Sequence, residues 1–291
     1  MTLAIIYGVL SGFLLSFTYL FFRKSFENIN PAIGFFIQAV FGVILWVPFA
    51  LLFEQNFFGF WKVLPIAIVS AVLSEAFTIY AASKGDFAVT GTILSSYPVY
   101  TALFAWLLID ENLTTLQVLF VFLVIVGSIV ASLPAKISDL KNELHQIKKP
   151  LIILSVTILA AIAIGFADVI SKPFVDEYNP FTFLLALAVA QPVVALCYTS
   201  LVGETKKILD IPKNIKKYTP AILGGFFSAA ALIFFWLSFS ETLASIASPL
   251  TGTTGVFIAL WAYVLDKEKF FFIKIIGILM IVLGVIGIGF S

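Results

Sequence analysis

Ten stretches of about 20 predominantly apolar residues, each long enough to cross a bilayer, run through the chain. They fall at roughly 3–22, 33–53, 63–83, 87–109, 115–133, 151–171, 181–202, 219–239, 243–265 and 272–290. Hydrocarbon offers no partner for a free backbone N–H or C=O, so each stretch is predicted to be a helix rather than a strand. Composition agrees. The chain has 291 residues, of which 61% are hydrophobic and 11% charged, whereas soluble domains are about a quarter charged. The expected class is an all-α polytopic membrane protein, with the lipid bilayer as its first partner. The apolar N-terminal run has no basic residue before it and is read as a true span, not a cleaved signal.

The chain repeats itself. RKSFENINP at 23–31 is similar to SKPFVDEYNP at 171–180, with Arg23 on Lys172, Glu27 on Asp176 and Asn30–Pro31 on Asn179–Pro180. Further on, Glu111 matches Glu268 and Gly127 matches Gly284. The expected organisation is a five-helix repeat over 1–133, a cytoplasmic linker over 134–150 and a second five-helix repeat over 151–291. Five is odd, so the second repeat is expected to lie inverted relative to the first.

Charge tests the inversion independently. Of the 17 Lys and Arg residues, 15 fall in the loops joining helices 1–2, 3–4, 5–6, 7–8 and 9–10, leaving Lys62 and Lys172 on the opposite side. Positively charged loops stay in the cytoplasm, so both termini are expected on the extracytoplasmic side. Short loops and the lack of a targeting segment suit an inner membrane.

In the first half SSYPVYTALFAWLLIDENLT, 95–114, carries Pro98, Trp106 and Glu111. In the second SPLTGTTGVFIALWAYVLDKEKF, 248–270, carries Pro249, Trp261 and Glu268. This pattern resembles the EamA family of the drug/metabolite transporter superfamily, whose halves each place a proline before small and aromatic residues and close the fourth helix on an acidic one. One departure is Gly255, which stands where the first half has Pro98. The glycine-bearing fifth and tenth helices (Gly127; Gly277, Gly284, Gly287) are similar too. The resemblance implies secondary transport of small metabolites or drugs through a central cavity lined by helices one, three, four, six, eight and nine.

Transporters built from inverted repeats bind solute near the midplane, where matched helices are interrupted. Ser95–Ser96–Tyr97–Pro98 falls on Gly252–Thr253–Thr254–Gly255, so Pro98, Gly252 and Gly255 are candidate helix breaks. Ser96, Tyr97, Thr101, Thr253 and Thr254 are candidate solute contacts. Tyr80 and Trp236 are secondary candidates, as aromatic faces suited to a cation. The bland alternative is that small residues simply permit close helix packing. The same holds for Gly8 and Gly12, whose GxxxG spacing is expected to serve internal packing before a dimer face.

Glu75 stands out most. It lies inside the third apolar run with Ala71, Thr78 and Ala82 on its face, while the second half has Leu232 at the matching place. Ionisable residues within spans usually face the interior and mark solute or ion pathways. Glu75 is therefore expected either to carry a coupling proton or to hold a cationic solute; the alternative is a glutamic acid hydrogen-bonded to a neighbouring helix. Asp168 is expected near the outer end of helix six in a partly hydrated, interfacial role.

The expected function is alternating-access transport of an amino acid, amine or related amphiphile, with protons as a candidate second partner. Uptake or exchange of a cationic nutrient with Glu75 as counter-charge is one alternative, and a channel or membrane receptor is another. No GxxxxGK[ST] loop is present, and one histidine, His145, supplies no catalytic or metal-ligating cluster. Neither an enzyme, nor a cofactor, nor a bound metal is expected. No basic stripe with interleaved aromatics suggests nucleic acid. A lone cysteine, Cys197, excludes an intrachain disulfide and is read as a small packed hydrophobe. The assembly is expected to be a monomer or a homodimer.

Overall fold

The structure, a computed structural model, describes residues 1–53, 56–79, 93–132, 150–265 and 272–290. The linker 134–150, apart from Pro150, lies outside the described residues, as do His145, Tyr80, Ala82 and Glu268.

Every regular element among the described residues is a helix. In chain order they are α1 (Thr2–Phe26), α2 (Pro31–Leu51), α3 (Phe57–Ala71), α4 (Tyr97–Leu108), α5 (Thr115–Ser132), α6 (Pro150–Tyr178), α7 (Pro180–Leu201), the short α8 (Thr205–Ile208), α9 (Ile215–Glu241), α10 (Ala244–Thr251), α11 (Thr254–Leu265) and α12 (Phe272–Phe290). A π turn, Val72–Ala76, continues α3. Six helices among the described residues are long and apolar enough to cross a membrane: Thr2–Phe26, Pro31–Leu51, Phe58–Ile79, Leu154–Tyr178, Pro180–Leu201 and Ile215–Glu241. Leu103, Trp106, Leu119 and Val193 remain exposed on the outside of the bundle. In water such a surface would be an aggregation hazard; in lipid it is the expected solvent-facing belt.

Two boundaries differ from the sequence reading. Helix six was expected to stop at 171, yet α6 runs to Tyr178 through Pro173. Lys172 makes this feasible by turning its ammonium along the helix to Asp176 one turn on. The span expected at 243–265 is two helices, α10 and α11, separated by a turn at Gly252 and Thr253.

The repeat has a local structural counterpart. Asn30 Oδ1 accepts the Ala32 N–H at 3.0 Å and Asn179 Oδ1 accepts the Thr182 N–H at 2.9 Å, so both repeats open their second helix with an Asn cap and Pro at its first position.

Packing follows the same exchange of halves. α1 lies along α9 as α6 lies along α3; α2 meets α9 as α7 meets α3; α1 meets α10 and α11 as α6 meets α4. Three contacts map onto themselves: α2 with α7, α4 with α10, and α5 with α12. In the α5–α12 seam, a Cβ on Gly127 would lie 2.7 Å from the Gly277 carbonyl, and one on Gly284 would lie 2.7 Å from the Phe120 carbonyl. Only glycine lets these backbones approach so closely.

Loops meet in register with an inversion. Asn30, after the first helix, donates to Glu204, after α7, at 3.4 Å. At the other end, Asn56 N–H donates to Thr182 Oγ1 at 2.9 Å and Lys62 Nζ to the Tyr178 hydroxyl at 3.1 Å. The loop 1–2 end of one half therefore sits beside the loop 2–3 end of the other. Cys197, expected to be packed, is instead exposed on the outer face of α7, where a thiol meets the same surroundings as its exposed neighbours Val193 and Leu196.

Candidate functional site

Glu75 lies within the π turn that ends α3. A π turn inserts one residue into a helix, widens it and leaves backbone groups with weaker partners, which is why such turns recur at functional sites. Two back-bonds accompany it: the Ser74 hydroxyl donates to Ser70 C=O at 2.7 Å and the Thr78 hydroxyl to Ser74 C=O. Glu75 Oε1 accepts from Gln38 Nε2 of α2 at 3.0 Å. Gln38 is buried, Glu75 is half-buried, and Tyr19 of α1 is within electrostatic reach of the carboxyl.

Asp168, expected in partly hydrated surroundings, is buried instead. Because α6 continues to Tyr178, the residue lies well inside the helix, and it is 5% exposed. Its Oδ2 accepts from Thr101 Oγ1 of α4 at 3.3 Å, and Thr101 Oγ1 in turn accepts from Ser248 Oγ of α10 at 3.2 Å. Tyr97, one turn before Thr101, shares a hydrogen bond with the Ser248 side chain and lies within electrostatic reach of both Asp168 and Tyr19. Tyr19 and Tyr97 thus stand in series between the two interior carboxyls. Among the described residues neither carboxyl has a cationic partner, and no group of three His, Cys, Asp or Glu side chains is placed to hold a metal.

Helix interruptions flank this cluster. A turn at Ser95 and Ser96 precedes α4, with Pro98 in its first turn, and the turn at Gly252–Thr253 separates α10 from α11, with Gly255 inside α11. The Gly252 carbonyl accepts the Gly255 N–H at 3.1 Å and also accepts from Ser128 Oγ of α5 at 2.9 Å.

The structure brings Tyr97, Thr101 and Asp168 together, and joins Glu75 to them through Tyr19. Ser96, Thr253 and Thr254 are occupied locally. Their hydroxyls donate to the carbonyls of Ile93 at 2.7 Å, Leu250 at 2.8 Å and Thr251 at 2.7 Å. Thr253 and Thr254 also face Gly12 of α1, which makes the Gly8–Gly12 pair an internal packing surface. Trp236 is buried among Phe183, Phe235 and Phe239, with ring centroids at 4.4, 5.0 and 5.4 Å. Its indole N–H has no partner among the described residues.

Gln38, Tyr19 and Ser248 belong to the cluster but were not singled out in the sequence. A polar residue inside an apolar run was the available signal for all three. Gln191 of α7 carries the same signal; it is buried, and its Oε1 has no partner among the described residues.

Two related helical halves, crossing a membrane and enclosing carboxyls that have no cationic partner among the described residues, beside interrupted helices, define a polytopic membrane protein of the solute-transporter class. The chain belongs to the EamA-like transporter family, whose model matches residues 2–133 and again residues 151–290. An uncharacterized protein of Methanocaldococcus jannaschii is 29% identical over 116 residues, which cover 39% of this chain and 85% of that protein. That relative is close to one half of this chain in length. A solved crystal structure of a protein shares 15% sequence identity and superposes with a TM-score of 0.76, covering 99% of this chain and 97% of that one. It has the same fold.

Proposed function

We propose that this chain is a ten-helix secondary transporter that moves a small amine, amino acid or related amphiphile by alternating access, with Glu75 as its solute-facing or coupling carboxyl. The two five-helix units, 1–133 and 151–291, lie inverted in the cell membrane. They are joined by the 134–150 segment on the cytoplasmic face, and both termini are outside. Support for the inversion comes from the charge distribution and from the way loop ends of opposite repeats pair. The halves rock about a central site that opens to one face at a time.

One observation carries the reading. Glu75 sits on a widened helical turn with a single side-chain amide as partner, half-buried, in the interior of a bundle whose outer face is apolar. A carboxyl there retains spare acceptor capacity for a solute N–H or cation.

A thermal-shift screen of purified protein against amino acids, amines, nucleosides and cationic dyes, run in parallel on Glu75→Gln, tests it. A compound that stabilises the wild type and not the variant is the expected result. Compounds that stabilise both proteins equally would remove Glu75 from the solute site.

A further inference from the structure

We infer that Asp168, rather than Glu75, binds the proton of the transport cycle, and that Thr101 and Ser248 carry its protonation state from one half of the molecule to the other. The inference rests on the transport reading above and divides the labour between the two interior carboxyls.

Access separates them. Asp168 is 5% exposed and Glu75 half-buried. A carboxyl as enclosed as Asp168 admits nothing larger than a proton unless its helices part, whereas the Glu75 residue retains accessible surface.

Charge points the same way. On its own helix the nearest cation is Lys172, one turn on, and that ammonium is bound to Asp176. Helices α3, α4, α7, α9 and α10 all pack against α6. From them, the titratable side chain within electrostatic reach of Asp168 among the described residues is Tyr97. Glu75, on the π turn that also packs against α6, is linked to it only through the two tyrosines. With no permanent counter-charge, a proton is the cation that neutralises Asp168.

The hydroxyl chain gives the proton a readout. Ionised, Asp168 is an acceptor only, so Thr101 spends its one hydroxyl hydrogen on Oδ2 and accepts from Ser248. A proton added at Asp168 turns the carboxyl into a donor. Thr101 then has a second acceptor, the Tyr97 carbonyl 3.4 Å away, on the first turn after the Ser95–Ser96 interruption. The three residues lie on α4 of the first repeat and on α6 and α10 of the second. One proton therefore changes the direction of hydrogen bonds across the junction of the halves, between the two interrupted helices.

Infrared titration of the purified protein in lipid tests this, following the C=O stretch of protonated carboxyl groups. The expected result is an interior carboxyl band that titrates in wild type, persists in Glu75→Gln and is lost in Asp168→Asn. Thr101→Val should move that band to higher frequency, because the carboxyl loses its hydroxyl partner. Ser248→Ala should shift it less, because Ser248 reaches Asp168 only through Thr101. If Asp168→Asn fails to fold, the Thr101→Val shift assigns the band instead, since among the described residues Thr101 bonds to no other carboxyl.

A band that survives Asp168→Asn and vanishes in Glu75→Gln overturns the assignment. So does the absence of any titrating band, or a band that both Thr101→Val and Ser248→Ala leave unmoved. The titration needs no solute. A chain that moved none of the screened compounds in proteoliposomes would therefore defeat the transport reading while leaving the band's assignment standing.

Discussion

Glu111, which follows α4 in the first repeat, caps the start of α10 in the second: its carboxylate accepts the Ala244 N–H at 2.8 Å, the Ser245 N–H at 3.0 Å and the Ser245 hydroxyl at 2.6 Å. The acidic residue that family resemblance places at the end of the fourth helix thus works 133 residues away in sequence. It satisfies two of the backbone donors that any helix start leaves open, and its charge suits the positive end of the helix.

Removing that cap should be costly. Glu111 is 8% exposed, so Glu111→Ala strands two buried N–H groups with no water to replace the carboxylate. A loss of about 2–4 kcal/mol is expected from charge-assisted bonds of this kind, with Glu111→Gln losing less because its carbonyl still accepts. Melting temperature of the purified protein in detergent is the check. A fall no larger for Ala than for Gln would mean the cap contributes little.

Ser128 plays the corresponding part at the turn between α10 and α11. Its hydroxyl is shared between the Val124 carbonyl of its own helix at 2.7 Å and the Gly252 carbonyl at 2.9 Å, which also accepts the Gly255 N–H. Ser128→Ala removes this bond between α5 and the turn while Gly252 keeps the Gly255 N–H, and a loss of about 0.5–1.5 kcal/mol is expected. Ser128→Thr, which retains the hydroxyl, should recover most of it in the same melting assay.

A side chain at Gly12 should drive α1 off the interrupted helix. A Cβ there would lie 2.9 Å from the Thr251 carbonyl and 3.0 Å from the Thr254 amide nitrogen. Both are backbone atoms that cannot rotate away. Gly12→Val should lower stability by about 1–3 kcal/mol, the range for overpacking. Disulfide trapping of Gly12→Cys, in a Cys197→Ser background, should give no crosslinked dimer. An efficient dimer would make the GxxxG stripe an intermolecular face.

The membrane class and helical content were legible because apolar run length is a property of the sequence itself and lipid permits few alternatives. The repeat was legible too, since Asn30–Pro31 and Asn179–Pro180 repeat a local device that needs no tertiary context, and the family was legible in the Pro98–Trp106–Glu111 pattern and its counterpart Pro249–Trp261–Glu268. Within the cluster, Glu75, Tyr97 and Thr101 drew notice as polar groups in apolar runs. Their partners did not, because Gln38, Ser248 and Tyr19 come from other helices and no local pattern specifies the pairing. The π turn was invisible, since one extra residue in a turn leaves an all-apolar pattern unchanged. The burial of Asp168 was not legible because Ser171–Lys172–Pro173 reads as a helix end. In the structure Lys172 is held by Asp176 and the helix passes through Pro173.

Orientation in the membrane can be decided by labelling exposed loop positions in intact cells. Met1 lies beside Thr242, whose hydroxyl approaches the methionine sulfur at 3.9 Å, and Glu111 caps residues 244 and 245, so the N-terminus and these loops share one face. Asn112, on that face, is exposed, as is Lys213 in the lysine-rich loop between α7 and α9. Positive loops stay in the cytoplasm. In a Cys197→Ser background, Asn112→Cys should react with a membrane-impermeant maleimide in intact cells, and Lys213→Cys only after the membrane is opened. The reverse pattern would put both termini in the cytoplasm and invert the proposed topology. Equal labelling of both positions in intact cells would mean that the protein inserts both ways up.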